Sequence, residues 1–237
     1  MVMLDRKRKV VFIGSCSYSG STIFDMLLGS SPDSRSLGEI GRAYFPQKKH
    51  HILRECGCLN PSCQTWANIL SGPSVNLYER IFEQFEERVL IDSTKDPHWI
   101  KRRSDELEMS GVETCHVLLW KRPEQIRDSY AKRGLIRYWK RHWINFHRLY
   151  FTLIENFSVI PYDAILSENG DFEERIRNID LEVNENFWES DPCILFGNDS
   201  ARRHLHTSDS KEFNEIQGRR EKDVKSSGAL DHREIAP

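Results

Sequence analysis

No apolar run in the sequence approaches the roughly 20 residues that a bilayer-spanning helix needs. That excludes a membrane-spanning segment of the usual kind. Charge of either sign in excess is also missing: 34 Lys and Arg stand against 36 Asp and Glu, a formal net charge of −2. A surface built to wrap a polyanion is therefore excluded, and any anion site must be local. The N-terminal stretch MVMLDRKRKVVFIG has a basic start, but its apolar part covers only residues 10–13. That is too short for an export signal and reads better as a first strand. The expected location is the cytoplasm, where the six cysteines would stay mostly reduced.

A further absence is more informative. Residues 13–24 read IGSCSYSGSTIF, a run of small residues between a strand-like and a helix-like apolar stretch. This is the layout of a phosphate-binding loop. Yet Ser21 and Thr22 follow Gly20 directly, without the lysine of nucleotide-hydrolysing loops, and Tyr18 is the only large side chain. The missing lysine, and the lack of a clear magnesium-binding aspartate, argue against a kinase or NTPase. What remains is an anion site made of free backbone N–H groups at a helix start, with Ser19, Ser21 and Thr22 adding hydroxyls.

At 237 residues the chain suits one α/β domain with a buried core. Strands are predicted at 9–14, 89–91, 114–120 and 159–160. Helices are predicted at 20–30, 75–88, 97–109 and 123–157, the last with Gly134 as a break. A short helix is expected near Gly38. Strands alternating with helices predict a P-loop-like three-layer fold, a central parallel sheet flanked by helices. Right-handed crossovers put the strand C-termini, and hence the ligand, on one edge. The domain is assigned to residues 1–206. The polar stretch 207–237 has no apolar period and is expected to be disordered.

Three more segments fall near that edge: SSPDSRSLGE, ending in Glu39; IDSTKDP, with Lys95; and LLWKRPEQIRDSYAKRG, with Lys121, Ser129 and Arg133. Together with Ser19-Gly20-Ser21-Thr22, their order resembles the sulfotransferases that use 3′-phosphoadenosine 5′-phosphosulfate (PAPS). The motif order is most similar to tyrosylprotein sulfotransferases and related bacterial-type enzymes. The similarity spans about residues 9–134, with weaker echoes at IPYDAI and FGNDSAR.

The resemblance implies a sulfonate transfer from PAPS to a hydroxyl acceptor, a small molecule or a peptide, releasing PAP. It implies that Ser17, Tyr18, Ser19, Gly20, Ser21 and Thr22 line the co-substrate, with the backbone of Ser19 to Thr22 on the 5′-phosphosulfate. Lys121, Ser129 and Arg133 hold the 3′-phosphate. Lys95 stabilises charge at the transferring group, and Glu39 is the general base. No metal is assigned. The chain departs from the family's pattern at three places. Tyr18 stands where many relatives carry a cation, Lys121 replaces an arginine that Arg122 can also supply, and the family's closing helix is not evident after Arg203.

Other readings compete at several residues. Taken alone, Glu39 is a capping carboxylate, and Lys95 is a solvated lysine paired to Asp92 or Asp96. His98 is a fallback base. Residues 133–150 interleave Arg133, Arg137, Lys140, Arg141 and Arg148 with aromatics. At helical spacing Trp139, Trp143, Phe146 and Tyr150 form one stripe, so a core face is expected and no nucleic-acid partner. The stretch CGCLNPSCQTW holds Cys56, Cys58 and Cys63. Its spacing is not a standard zinc pattern even with His50 or His51 added, and buried or paired cysteines are the preferred reading. Oligomeric state is left open.

Overall fold

A run of four apolar residues inside β1, Lys9–Gly14, fixes the centre of the molecule, since all six strand positions are buried. Val10 and Phe12 belong to one core cluster and Val11 and Ile13 to another, so the strand feeds both faces of the sheet. Each such residue removed from water contributes about 1.5–3 kcal/mol. The computed structural model describes residues 7–45, 56, 62–165, 171–184, 186–187 and 193–197. Residues 207–237, expected to form a disordered tail, lie outside the described residues, as do Cys58, His50, His51 and Arg203.

Five parallel strands form the sheet in the order β2-β3-β1-β4-β5. After β1 come α1 (Ser21–Gly29) and β2 (Ser34–Gly38), then a 3-10 turn at Ile40–Ala43. Next are α2 (Thr65–Leu70), α3 (Leu77–Gln84), β3 (Val89–Asp92), α4 (Pro97–Met109) and β4 (Glu113–Trp120). The chain continues through α5 (Pro123–Ala131), a 3-10 turn at Ile136–Tyr138, α6 (Trp139–Leu153) and β5 (Ser158–Pro161). Last come α7 (Tyr162–Ile165) and α8 (Asp171–Arg177). Residues of α2, α3, α4 and α6 cover one face; residues of α1, α7 and α8 cover the other. The three-layer expectation holds.

Two expectations need correction. The sequence predicts four strands; β2 is the fifth, in a stretch ending at Gly38 for which no strand is predicted. Its polar sequence SRSLG hides it, because an edge strand has one neighbour in the sheet and little need for alternation. The short helix expected near Gly38 is the 3-10 turn that follows it at Ile40–Ala43. The long helix at 123–157 is broken as Gly134 suggested, but more thoroughly. Gly134 takes φ +68, Leu135 N–H bonds Tyr130 O at 3.0 Å, and the helix restarts at Trp139. This is a left-handed C-cap, which glycine adopts without penalty.

The aromatic stripe of α6 is real. Tyr150 is fully buried, while Trp139, Trp143 and Phe146 are half-buried against the neighbouring clusters; Lys140, Arg141 and Arg148 are exposed. Tyr150 lies on the end of β1, where a Cβ on Gly14 would come within 2.1 Å of its ring. Among the described residues, no helix is long and apolar enough to cross a membrane.

Candidate functional site

All five strands end on the same edge, and each delivers a residue to it. The loop after β1 sits at the middle of that edge. Tyr18 and Gly20 both take positive φ, +66 and +93. A side chain at position 20 is excluded twice over, since its Cβ would also lie 2.3 Å from the Tyr162 ring. Gly20 is the N-cap of α1 and no side chain caps that helix. Its positive dipole end therefore faces the edge. The hydroxyls of Ser15 and Ser19 are buried beside it with no hydrogen-bond partner among the described residues. A buried hydroxyl without a partner costs about 1–3 kcal/mol, a cost that a polar ligand in this loop would relieve.

On one side of the loop lie the ends of β2 and β3. Glu39 leaves β2 with its side chain only 13% exposed; one carboxylate oxygen pairs with Lys95 and the other with Arg42 Nε at 3.1 Å. Burial pushes the Glu39 carboxyl up, but the adjacent Lys95 ammonium and the Arg42 guanidinium outweigh it and hold it below its ordinary value. Backbone bonds lock the two strand ends together. Ser93 N–H donates to Gly38 O at 2.9 Å, and Gly41 N–H to Thr94 Oγ1 at 2.9 Å. Lys95 therefore pairs with Glu39, not with Asp92 or Asp96. Asp96 instead caps α4 by accepting from His98 N–H at 3.0 Å, and His98 is exposed.

On the other side lie the ends of β4 and β5. Lys121 Nζ is 3.5 Å from Tyr18 O, 3.4 Å from Ser129 Oγ and 4.4 Å above the Tyr162 ring. Ser129 sits in the last turn of α5, and its hydroxyl donates to Gln125 O at 2.8 Å. Arg133, one turn further, donates to Ser129 O at 2.7 Å and lies 4.4 Å over the Tyr18 ring. Tyr18 also meets Tyr130 edge-on at 4.9 Å. Arg122 turns away: it is exposed, with Nε 3.1 Å from Asp163.

The structure thus gathers the expected residues into two groups that flank one loop: Glu39 with Lys95, and Lys121 with Ser129 and Arg133. Two members of the site were missed. Arg42 follows Glu39 by one turn in GEIGRAYF, a spacing readable once β2 is known, and Tyr162 directly follows the strand predicted at 159–160, at the head of the YDAI segment.

No protein-family model matches the chain, and no curated protein matches it in sequence. Among solved structures it matches the sulfotransferase domain of the Synechococcus PCC 7002 olefin synthase. The TM-score is 0.54 at 16% identity, over 89% of this chain and 84% of that one. The fold is sulfotransferase-like. At that identity the likeness carries the architecture, and the chemistry rests on this chain's own side chains.

Two of those side chains narrow the chemistry. Asp92 ends β3, where phosphate-transferring P-loop proteins offer a carboxylate to magnesium. Here it accepts from Tyr78 OH, Trp99 Nε1, Thr94 N–H and Thr94 Oγ1, all within 3.0 Å, and is fully buried. Its oxygens are spent on the protein. Cys16 is the nucleophile-type residue in the loop, but burial pushes its thiol up to about 11 against the opposing pull of Ser17 N–H, Tyr130 and Lys95. It stays a thiol at neutral pH.

Proposed function

We propose that the protein is a PAPS-dependent sulfotransferase that moves a sulfonate group to an acceptor hydroxyl. The observation that carries this reading is the placement of a buried Glu39–Lys95 pair on one side of a lysine-free anion loop, with a Lys121–Ser129–Arg133 group on the other. Two anion sites flanking one edge suit a nucleotide with a phosphosulfate at one end and a 3′-phosphate at the other. The partnerless Ser19 hydroxyl and the uncapped start of α1 fit the first; the cations beside Ser129 fit the second.

The residues then have distinct tasks. The N-terminus of α1 and the loop backbone hold the phosphosulfate. Lys95 donates to the bridging oxygen as the sulfur–oxygen bond breaks, and Glu39 takes the proton of the acceptor hydroxyl as its oxygen attacks sulfur. PAP leaves. A lysine cannot serve both partners fully, so co-substrate binding draws Lys95 from Glu39. Glu39 then loses the cation that does the most to hold its carboxyl down and becomes a stronger base. The acceptor is a small-molecule or peptide hydroxyl.

A thermal-shift comparison of PAP with ATP, followed by turnover of labelled PAPS with a panel of hydroxyl acceptors, tests this reading. Stabilisation by PAP well above that by ATP, with label transferred to an acceptor, is expected. No binding of PAP to the folded protein would overturn it. Tyr18 in the loop favours a second reading, a PAP-binding relative with weak catalysis. PAP binding without turnover, together with activity gained in Tyr18→Arg, would favour it.

A further inference from the structure

Three cysteines far apart in sequence meet beside the Glu39 edge of the sheet. The sulfurs of Cys56, Cys63 and Cys193 all lie within 4.8 Å of one another, and each residue is half-buried. They come from three segments. Cys63 stands two residues before α2, Cys193 stands two before Leu195, and Cys56 forms an antiparallel bridge with Leu195. Leu195 is in turn fastened to β2. Its N–H donates to Leu37 O at 3.0 Å, and its O accepts from Glu39 N–H at 2.9 Å.

Tetrahedral zinc, with sulfurs about 2.3 Å from the metal, holds those sulfurs about 3.8 Å apart. The triad needs to close by no more than about 1 Å per pair to reach that spacing. The local pattern Cys56-x-Cys58-x4-Cys63 hid this arrangement, because the third ligand of the described cluster is supplied from far downstream. Cys63 also has an orienting partner: its Sγ is 3.3 Å from Thr65 Oγ1. Once the thiol is ionised, the threonine hydroxyl can donate to it, as outer partners of metal ligands commonly do.

We propose that Cys56, Cys63 and Cys193 bind one zinc ion, which staples the segments carrying Cys56 and Cys63 and the 193–197 strap to the edge of β2. Each thiol releases its proton to solvent on ligation, and no oxidant or reductant is required. Three protein thiolates leave the fourth tetrahedral position to a further donor. The site holds structure and takes no part in proton or sulfonate transfer, so it is independent of the function proposed above.

The full chain, purified without chelator from zinc-supplemented medium, is expected to carry one zinc per chain by native mass spectrometry. Chelation should lower its melting temperature, and cobalt added to the stripped protein should produce the strong thiolate charge-transfer absorption. Cys63→Ser and Cys193→Ser should each lose most of the bound zinc and that absorption, whereas Cys115→Ser keeps both. Circular dichroism checks each fold; if one variant does not fold, the other decides. Any of three results would overturn the proposal. These are folded protein that takes up neither zinc nor cobalt, full zinc retention in a folded Cys63→Ser or Cys193→Ser variant, and a disulfide joining two of the three cysteines in the purified chain. PAP binding is read separately, so loss of either result leaves the other standing.

Discussion

Glu39 is held between two cations and largely out of water; as the base of the proposed transfer it is weak until one cation is drawn off. This has a kinetic signature. The acid limb of kcat/KM reports the free protein, where Lys95 keeps the Glu39 carboxyl low; the acid limb of kcat reports the complex. The kcat limb is therefore expected at higher pH than the kcat/KM limb in steady-state profiles. Glu39→Gln should lower kcat by about 10²–10⁴-fold without weakening PAP binding measured by calorimetry, since it also frees Lys95. At the opposite group, Lys121→Ala or Ser129→Ala should weaken PAPS by about 10–100-fold, the worth of a hydrogen bond to a charged group. Adenosine 5′-phosphosulfate, which lacks the 3′-phosphate, should lose much less in the same titration; equal losses would remove the 3′-phosphate assignment.

Elements were legible where burial forces a pattern, and illegible where it does not. The continuous apolar run of β1, the Pro97 start of α4 and the Gly134 stop of α5 each state a physical constraint in one or two residues. The strand β2 states none, since SRSLG could serve equally in a loop; its pairing with β3 and the strap from Leu195 decide it. The same holds for the site. The order of the four motifs placed Glu39, Lys95, Lys121, Ser129 and Arg133 at one edge. Which cation would pair with Glu39 was not readable, because Asp92 lies closer to Lys95 in sequence and only the structure shows that carboxylate occupied. Gly38 carries the tightest constraint in β2. It takes φ +71, and a Cβ there would meet Leu195 O at 2.2 Å. Gly38→Ala should cost about 2–5 kcal/mol in urea unfolding, from the left-handed conformation plus overpacking.

At the scale of the molecule, two buried acids lie beneath the edge. Asp25 is inaccessible in α1 and ties it to β2, accepting from Ser36 Oγ at 2.5 Å and Gly38 N–H at 3.1 Å. Burial pushes its carboxyl well above the ordinary range; nearby Asp92 adds to this, and the two hydrogen bonds oppose it. A carboxyl raised in the folded state favours folding at acid pH. That contribution fades as pH climbs above the unfolded value of about 3.9 toward the raised folded value. Asn at this position does not ionise in either state. The melting temperature of Asp25→Asn, relative to the parent, should thus rise from about pH 5 to about pH 8. A flat difference across that range would mean that Asp25 is ionised in the native protein.

The bond between Leu195 and β2 joins opposite ends of the described chain. Closing a contact between such distant residues is slow compared with forming the local helices and their strand neighbours. The pairing of β1 with β4, which brings Lys121 beside the loop, closes a shorter stretch of chain and can precede it. Until the strap arrives, the Glu39 N–H lacks its Leu195 acceptor, while the bonds between the ends of β2 and β3 already hold the segment. During synthesis the strap is the last described segment to emerge, so a nascent chain stalled ahead of Cys193 would carry both side-chain groups of the sheet edge without the Leu195 bonds beside Glu39.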